Sequence, residues 1–593
     1  MRHVLQAFYA LLAVAASPSA GFATCGWRGG EVLQVSGEVR AGGLTGRLMR
    51  RVELGSGRLF EADDLRIVVT RNGFVGDVAW SQDMSGGVHD LNSRFARELA
   101  VSMAWLDGRQ GCAPARGDGM TPLGRRVEQG RRMTAWQAAP PGGVPFELWY
   151  DDRTGHLDRA LFQMSESRLI RHFARWRDIG GGRLVAFEQR DEFPEDEDET
   201  IRRVAHASVH KAARPGDFAR PRPPNDVSML HARRSTSVPY EDDHRTRIFI
   251  PVYLNGKGPF LFELDNGGHN ILTAETAQEL GLTGSGSFNS TGAGNAVAQS
   301  GIARVERIQV ADAVLTNQPV KIRKFNPSSN DRSPNAPRAG ILGLELFERL
   351  VVAIDRRART VTLRPFGSGD RPSGVPIPLV FAEDAPLISG SYAGRRGDFM
   401  LDTGNAGPTI IEDYWARPLG LSAALDKGVK RGDTKVSTGP VGLGPIELPD
   451  ELVSYYGPAE RGSEYSRSVA GVYGEPLLSR FDATYDYSRG TVWLDPLPDV
   501  VALPFDRSGL SLAKADEGLF KVTAITPGSP AEEAGIRPDD FVSAIQGVPS
   551  RRLSRADAAA LLKETVGNFV VLSGRFGGVE GSKTITLREL VRP

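Results

Sequence analysis

The sequence has few cysteines, no net charge and, after its first residues, no long apolar run. Cys25 and Cys112 are the only cysteines among 593 residues, so the chain can form one internal disulfide at most. The 72 Lys and Arg residues balance 72 Asp and Glu residues, which excludes the basic footprint of a nucleic-acid-binding protein. No segment beyond residue 23 approaches a transmembrane helix in length and apolarity. We therefore expect no nucleic-acid partner and no membrane span in the mature chain.

The first 23 residues have the pattern of a secretory signal. Arg2 and His3 give a short polar start, residues 4–16 are mostly apolar, and small residues follow Pro18. Such a segment is removed on export, so we expect a protein of the periplasm or cell envelope. A membrane anchor is the alternative, but the apolar run is too short to span a bilayer comfortably.

The two cysteines are expected to pair with each other in an oxidising compartment. Cys25 and Cys112 are 87 positions apart, and a disulfide between them would contribute roughly 2–4 kcal/mol to the free energy of unfolding. Two unpaired structural thiols are the alternative.

The length of the chain predicts about three to five domains. In residues 24–214, short alternating segments such as residues 146–150 predict antiparallel strands, and the spacing of apolar residues over 90–105 predicts a helix. This pattern indicates an α+β domain with a curved sheet packed on a helix, loosely similar to the lipoprotein-carrier fold of the bacterial envelope. Residues 215–245 are rich in Pro, Arg and Ser and predict a linker.

Two short turns, each at the end of an apolar segment, present an aspartate. They are Asp265-Asn266-Gly267 and Asp402-Thr403-Gly404. The small residues let the backbone come close to whatever lies over the carboxylate. If the turns face each other, one carboxyl would be protonated and the other ionised, and the pair could activate a shared water.

The same block of sequence follows each aspartate turn. An apolar-apolar-Gly segment ends in Gly343 in the first copy and in Gly474 in the second. Twelve positions later come Asp355 and Asp486, and five positions after these come Thr360 and Thr491. An internal repeat in register predicts two matched halves.

With these motifs, residues 246–366 and 367–498 resemble two retropepsin-type lobes of an aspartic peptidase, fused in one chain. The resemblance implies a mainly β fold, with a β-barrel in each lobe and an apolar-apolar-Gly strand beneath each aspartate. It also implies that Asp265 and Asp402 are the catalytic pair and that Gly267 and Gly404 orient their carboxylates. One carboxylate would deprotonate a water while the other, protonated, donates to the scissile carbonyl. No metal or cofactor is implied.

The first turn departs from the family pattern in two residues. The family has Thr or Ser after each aspartate, as at Thr403, with a hydroxyl that locks the two turns together, whereas this chain has Asn266. We expect the longer, planar amide to distort the lock. Glu263, two positions before Asp265 on the predicted strand, should face the same side and raise the pKa of the carboxyls by like-charge repulsion.

Two glycine-rich segments stand where the family carries flaps, which are mobile hairpins that close over a substrate. The first contains Gly292 and Gly294, and the second contains Gly439 and Gly442. For the first segment, a flexible surface loop is the alternative.

Residues 503–593 resemble the PDZ domain found on envelope proteases. The resemblance rests on Gly518-Leu519-Phe520, on the run from Pro527 to Ala531 and on Asp540. It implies that an extended peptide adds as a strand beside Gly518, Leu519 and Phe520, whose amides would hold its C-terminal carboxylate. A purely structural PDZ domain is the alternative.

Two functions fit these motifs. The favoured one is an exported aspartic endopeptidase that hydrolyses polypeptides with an Asp265/Asp402 dyad and binds peptide C-termini with its PDZ domain. The alternative is a retropepsin-like peptide-binding protein with weak or no catalysis. Both aspartates are present, which favours the enzyme, whereas Asn266 favours the binding protein.

Overall fold

The fold is mainly β and multidomain, as predicted. A computed structural model describes residues 25–112, 119–165, 167–291, 297–325, 337–369, 371–432, 434–456 and 468–591, and its strands form four sheets within these ranges. Residues 1–23, the predicted signal, lie outside the described part of the chain. Of the helices described, none combines the length and the apolar character needed to cross a membrane.

The N-terminal domain is a single antiparallel sheet with one helix packed on it. Its elements are β1 (Val32–Ala41), β2 (Leu44–Glu53), β3 (Leu59–Asp64), β4 (Val69–Val75), β5 (Val78–Gln82), β6 (Val88–Asp90), α1 (Arg94–Arg109), β7 (Met120–Glu128), β8 (Arg131–Ala138), β9 (Phe146–Asp151), β10 (Leu157–Gln163), β11 (Arg168–Asp178), β12 (Leu184–Phe193) and β13 (Asp198–His210). The strand order is β6-β5-β4-β3-β2-β1-β13-β12-β11-β10-β9-β8-β7. Leu99 and Leu106 of α1 share one apolar core with Phe146 and Phe162 of the sheet, which confirms the predicted α+β class.

Helix α1 begins four residues later than the apolar spacing predicted. The Ser93 hydroxyl accepts a hydrogen bond from the Ala96 amide at 3.3 Å, which caps the helix at Ser93. The preceding residues, Val88–Asp90, form β6 instead. The apolar spacing alone could not distinguish the end of this strand from the start of the helix.

A disulfide joins the start of the N-terminal domain to the end of α1. Cys25 and Cys112 are bonded, with their Cα atoms 5.9 Å apart. Because the cross-link restricts the unfolded chain, we expect the Cys25→Ser, Cys112→Ser variant to lose about 2–4 kcal/mol of unfolding free energy in this domain. Urea unfolding without reductant measures the loss, and the native protein with reductant should show the same loss. Equal stability of the oxidised protein and the variant would contradict this prediction.

The described residues of lobe 1 and of the segment before it form twelve strands and two short helices. They are β14 (Val227–Met229), β15 (Thr236–Pro239), β16 (Glu241–Asp242), β17 (Ile248–Leu254), β18 (Lys257–Leu264), β19 (Ile271–Thr273), α2 (Ala274–Glu279), β20 (Ser285–Thr291), β21 (Val297–Val310), β22 (Ala313–Arg323), β23 (Gly340–Leu342), α3 (Leu344–Phe347), β24 (Leu350–Asp355) and β25 (Thr360–Pro365). Six of the strands close into a barrel in the order β17-β18-β23-β19-β22-β21, because β21 pairs back onto β17.

Lobe 2 repeats the same barrel. Its elements are β26 (Val375–Ala382), β27 (Ala385–Tyr392), β28 (Arg395–Asp402), β29 (Thr409–Glu412), α4 (Asp413–Ala416), α5 (Ser422–Leu425), β30 (Val429–Arg431), β31 (Thr434–Leu443), β32 (Ile446–Tyr456), β33 (Gly471–Gly474), α6 (Glu475–Leu478), β34 (Phe481–Asp486) and β35 (Thr491–Pro496). The closed order is β27-β28-β33-β29-β32-β31, with β31 pairing back onto β27. The two predicted β-barrel lobes are confirmed.

The sequence repeat also accounts for the contact between the lobes. The hairpin β24–β25 carries Asp355 and Thr360, and its counterpart β34–β35 carries Asp486 and Thr491. Strand β24 pairs antiparallel with β34, so the two copies lie side by side in one sheet that bridges the lobes. This sheet continues through β26 into the barrel of lobe 2.

The segment predicted as a linker, 215–245, contributes three strands to the sheets. Strand β14 pairs with β22, β15 with β25 and β16 with β17. Each has only two to four residues, so no periodic pattern marked them in the sequence. Their ladders hold the segment on the surface of lobe 1.

The N-terminal domain contacts lobe 2 directly beside α1. The Ser93 amide donates to the Phe381 carbonyl at 3.1 Å, and the Phe381 amide donates to Asn92 Oδ1 at 2.7 Å. These bonds attach the start of α1 to strand β26.

The C-terminal PDZ domain has a small sheet and two helices. Its elements are β36 (Leu510–Lys514), β37 (Phe520–Ile525), α7 (Pro530–Glu533), β38 (Phe541–Ile545), β39 (Val548–Pro549), α8 (Arg555–Leu561), β40 (Phe569–Phe576) and β41 (Val579–Thr586). The strand order is β36-β37-β38-β40-β41, and β39 pairs with β38. Phe505 and Val591 pack with Val436 of lobe 2, so the domain is docked on that lobe.

Candidate active site

Each aspartate lies where a buried strand ends over a second strand. Asp265 follows β18, whose partner β23 runs parallel to it, and the Asp265 amide donates to the Leu342 carbonyl at 3.1 Å. Asp402 ends β28, which runs parallel to β33. A Cβ atom on Gly343 would lie 2.2 Å from the Gly268 carbonyl oxygen, so the glycine of the repeated motif lets the turn pack on the strand beneath it.

The two turns face each other across the lobes, and their carboxyls hydrogen bond to one another. A Cβ atom on Gly404 would lie 2.2 Å from Asp265 Cγ, and one on Gly267 would lie 2.5 Å from Asp402 Oδ1. Only glycine therefore leaves room for the opposite carboxylate at both positions.

Backbone amides hold each carboxylate in place, but in unequal number. Asp265 Oδ1 accepts from the Gly267 amide at 2.8 Å. Asp402 Oδ1 accepts from the amides of Gly404 and Asn405 at 2.9 and 3.0 Å. These bonds fix the orientation of both carboxyls, as the resemblance implied for the two glycines.

Burial dominates the protonation of the pair. Burial and then the negative charge of Glu263 raise the pKa of Asp265 to about 6. Burial, followed by the charge and the hydrogen bond of Asp265, raises the pKa of Asp402 well above its usual range. Two carboxyls this close cannot both be ionised, so at neutral pH they hold one proton as a unit.

Glu263 lies beneath the dyad in a buried ion pair. Its side chain contacts the Arg338 guanidinium, which in turn stacks over the Phe325 ring at 4.4 Å. Arg338 lowers the pKa of Asp265 by less than Glu263 raises it. The predicted effect of Glu263 on the dyad is therefore present, and Arg338 moderates it.

The lock between the turns is intact, contrary to the expectation for Asn266. The backbone N–H of Asn266 donates to Thr403 Oγ1 at 3.1 Å, and the backbone N–H of Thr403 donates to Asn266 Oδ1 at 2.9 Å. Thr403 Oγ1 also donates to the Leu264 carbonyl at 3.0 Å. The side-chain oxygen of asparagine thus accepts the same kind of hydrogen bond that a hydroxyl accepts.

The side-chain NH2 group of Asn266, which threonine would lack, donates to a residue that the sequence did not indicate. Asn266 Nδ2 donates to the Tyr487 hydroxyl at 3.3 Å. The Tyr487 ring lies against Phe347 and Phe381, with centroids 5.9 and 5.3 Å away. Tyr487 is 221 positions from Asn266, and the matching place in the first copy of the repeat is Arg356, so the repeat gave no signal for it.

These bonds predict that Asn266→Thr is nearly neutral and that Asn266→Ala is not. Threonine keeps one acceptor for the Thr403 amide, whereas alanine leaves that buried amide unpaired, which costs about 1–3 kcal/mol. We expect Asn266→Thr to change kcat/KM by less than about threefold and Asn266→Ala to lower it by more than about tenfold. Initial rates on an unfolded protein measure both. Activity that rises strongly in Asn266→Thr would show that the native lock is distorted after all.

The first predicted flap falls only partly within the described residues. Gly292 and Gly294 lie outside the described part of the chain. Strands β20 and β21, which lead to and from them, pair antiparallel. The N-terminal domain holds β20, because the Ser287 amide donates to the Gly42 carbonyl at 2.8 Å and Asn289 Nδ2 donates to the Glu197 carbonyl at 2.9 Å.

The glycines of the second predicted flap lie in a barrel wall. Gly439 and Gly442 belong to β31 and pair with Glu451 and Glu447 of β32. Gly442 also pairs with Ser391 of β27. The structure therefore places them in paired strands rather than in a projecting hairpin. Their close packing explains the glycines, since a Cβ atom on Gly442 would lie 2.3 Å from Ser391 Oγ.

The PDZ residues predicted to bind peptide lead into a strand that is paired on both sides, and Gly518 and Leu519 are half-buried. Gly518 ends a short 3₁₀ turn, and Phe520 begins β37 with its side chain buried in the core. Strand β37 pairs with both β36 and β38, so it has no free edge for strand addition. Within the described residues β36 pairs with β37 alone, and its outer edge is the one that a peptide could join.

One group of metal-ligand residue types comes together away from the dyad. Asp83, His89 and Glu348 place their ligand atoms within 4.8 Å of one another. Burial opposes protonation of His89, but hydrogen bonds to Asp83 and Glu348 outweigh it and raise the His89 pKa to about 10. His89 Nε2 lies 2.6 Å from Glu348 Oε1 and 3.4 Å from Asp83 Oδ2, so ion pairs within this group link the N-terminal domain to lobe 1.

Comparison with known protein families matches two parts of the chain. Residues 250–346 match the model of the aspartyl protease family. Residues 521–572 match the PDZ domain model. The chain carries an aspartyl protease domain and a PDZ domain. The protease match contains Asp265 with its turn and ends just after the Gly343 motif, within lobe 1. No curated protein matches the sequence.

Solved structures with similar folds are remote. An aspartic proteinase from Irpex lacteus is 13% identical, with 44% of this chain and 98% of that chain covered and a TM-score of 0.31. A retropepsin-like aspartic protease from Rickettsia conorii is 17% identical, with 24% and 92% covered and a TM-score of 0.16. A domain from Vibrio parahaemolyticus, named as an outer membrane lipoprotein-sorting protein, is 11% identical, with 32% and 89% covered and a TM-score of 0.24.

Proposed function

We propose that this protein is an exported aspartic endopeptidase in which Asp265 and Asp402 together activate one water. The observation that carries the proposal is the facing pair of half-buried carboxyls, joined by a hydrogen bond and held by the reciprocal Asn266–Thr403 bonds. A structural role alone does not account for two acids in contact, because their repulsion destabilises the fold.

The reaction uses the single proton that the dyad holds. The ionised carboxylate takes a proton from the water as its oxygen bonds to the scissile carbonyl carbon, while the protonated carboxyl donates to the carbonyl oxygen. The tetrahedral gem-diol intermediate then collapses as the C–N bond breaks. One carboxyl of the dyad gives its proton to the leaving nitrogen, and the other carboxylate takes a proton from a hydroxyl of the intermediate, whose oxygen becomes the carbonyl oxygen of the product acid. The dyad returns to one proton, and no covalent enzyme intermediate forms. We assign neither role to a single aspartate.

The binding-only alternative loses its main support. It rested on Asn266, which was expected to distort the lock, yet the asparagine oxygen accepts a hydrogen bond from the Thr403 amide at 2.9 Å.

Export is supported by the signal-like first 23 residues and by the Cys25–Cys112 disulfide, since such bonds persist in oxidising compartments. For the PDZ domain we propose that it recruits the polypeptide by strand addition to β36.

The test is cleavage of an unfolded protein by the mature chain from residue 24 onward. Reduced, alkylated casein is incubated with the enzyme between about pH 5 and pH 8, and new N-termini are identified by mass spectrometry. The account predicts cleavage by the native chain and none by an Asp265→Asn, Asp402→Asn double variant. Cleavage by both proteins would assign the activity to another site or to a contaminant, and cleavage by neither would contradict the proposal.

A further inference from the structure

The outer edge of β36 opens into a cavity between the PDZ domain and lobe 2. The cavity has a volume of about 730 Å³. On the PDZ side its walls are β36, α8 and the residue after α8, which present the apolar residues Leu510, Leu512, Ala559 and Leu562. An extended peptide could pair with the edge of β36 and place alternate side chains against α8. The opposite wall is not part of the PDZ domain.

Lobe 2 and residues 244–247, which lead into lobe 1, supply that opposite wall. It includes the loop 406–408, which begins four positions after Asp402, and Arg431 at the end of β30. Four residues of extended chain span at most about 14 Å. A peptide in the cavity would therefore lie beside the loop that leaves the catalytic turn.

The end of the cavity that should receive a C-terminal carboxylate is already filled by Asp506. Its Oδ1 accepts from the Ser508 amide at 3.2 Å and from the Ser508 hydroxyl at 2.7 Å, and its Oδ2 accepts from the Gly509 amide at 2.6 Å. The next amide, that of Leu510, donates to Ser508 Oγ at 3.0 Å. Asp506 is 5% exposed. Three successive amides at the start of β36 thus have partners within the domain.

Successive backbone amides of this kind form the nest in which a free carboxylate is captured. Here an incoming carboxylate would find these amides occupied by the buried side chain of Asp506. The electrostatic partners of Asp506 are nearby, because Arg431 and Lys563 both line the cavity and interact with it. Their positive charge is therefore already compensated in part and is not free to offset a second carboxylate.

We propose that this cavity binds an internal extended segment of a polypeptide and that Asp506 occupies the place of a C-terminal carboxylate. The inference revises the expectation that the domain selects C-termini, and it rests on the proposed function in taking that polypeptide to be the substrate. A chain held by an internal segment continues in both directions, as an endopeptidase substrate must.

Binding of matched peptides to the Asp402→Asn protein tests this inference without cleavage. Three labelled forms of one apolar twelve-residue peptide are compared at pH 7.5: a free C-terminal acid, a C-terminal amide, and the same sequence flanked by Gly-Ser segments. We expect their Kd values to agree within about threefold, and the Ala559→Trp substitution to abolish binding of all three by filling the cavity. A free acid that binds more than about tenfold tighter than the amide would overturn the proposal, as would unaltered binding in the Ala559→Trp protein.

Asp506→Ala gives the complementary result. Freeing the amides of Ser508 and Gly509 should create a preference for the free acid of about tenfold or more, whereas Asp499→Ala, at an exposed aspartate before the domain, should create none. Asp506→Asn, which keeps an acceptor oxygen, is the fallback if thermal unfolding shows that Asp506→Ala misfolds, and it should give a smaller shift in the same direction. Unchanged peptide preference in a folded Asp506 variant would contradict the assigned role. Because these measurements need no hydrolysis, their failure is distinct from a failure of the proposed peptidase activity.

Discussion

Asp402→Asn is expected to abolish peptide hydrolysis and, at neutral pH, to make the protein more stable. Asparagine cannot exchange a proton with Asp265, so the general acid–base step is lost and kcat/KM should fall by at least about 10³-fold. The stability gain follows from the raised pKa values of both carboxyls, because ionising a partly buried carboxyl beside another one is unfavourable. We expect a gain on the order of 2 kcal/mol in unfolding free energy at pH 7.

The size of this gain depends on pH. The folded-state pKa values lie above the unfolded value, so the native protein loses stability as pH rises from about 4 through about 6, and the variant should lose less. Chemical denaturation at pH 4 and pH 7 measures both proteins, and the difference between them should nearly vanish at pH 4. Asp398→Asn is the matched control for replacing a carboxyl on this strand, since Asp398 also lies on β28 and burial also raises its pKa. Retained hydrolysis in Asp402→Asn would contradict the account.

Gly267→Ala is expected to remove activity while its neighbour Gly268→Ala has little effect. A Cβ atom at residue 267 would lie 2.5 Å from Asp402 Oδ1, whereas one at residue 268 would have nothing within 4 Å. The clash is with the reacting carboxylate, which two backbone amides hold in place, so a displacement of the dyad should lower kcat/KM by at least about 10²-fold. Gly404→Ala, with its Cβ atom 2.2 Å from Asp265 Cγ, should behave in the same way.

Initial cleavage rates and thermal unfolding of the three glycine variants distinguish a displaced dyad from misfolding as the cause of a loss of activity. We expect all three to fold, because each clash is confined to the dyad. Equal rates for Gly267→Ala and Gly268→Ala would mean that the carboxyls are not held as close together as described.

The repeated motifs made the protease lobes and their turns predictable. The glycine that ends the apolar segment after each aspartate turn is required by the packing of the turn on the strand beneath it, as Gly343 on the Gly268 carbonyl illustrates. The equal spacing of Asp355 and Asp486 from those glycines reflects two hairpins that pair with each other across the lobes. The local sequence therefore carried the information on the packing of the aspartate turns and on the two matched hairpins.

The features that sequence analysis missed depend on contacts between distant segments. Tyr487 reaches Asn266 only because the bridging sheet brings the lobes together. The strands β14 and β15 are too short for a periodic pattern and exist because their partners β22 and β25 present free edges. In the PDZ domain the Gly518-Leu519-Phe520 motif was recognised, but which strand keeps a free edge is a property of the whole sheet.

The most direct test of the central claim, a pair of carboxyls sharing one proton, is the pH dependence of kcat/KM in the native protein and in Glu263→Gln. The account predicts that activity rises with a midpoint near pH 6, where the dyad loses its first proton, and falls again at higher pH as the second proton is lost. Removal of the Glu263 charge should move the acidic midpoint down by about half a pH unit or more. An optimum near pH 3–4, or a profile that Glu263→Gln leaves unchanged, would contradict it.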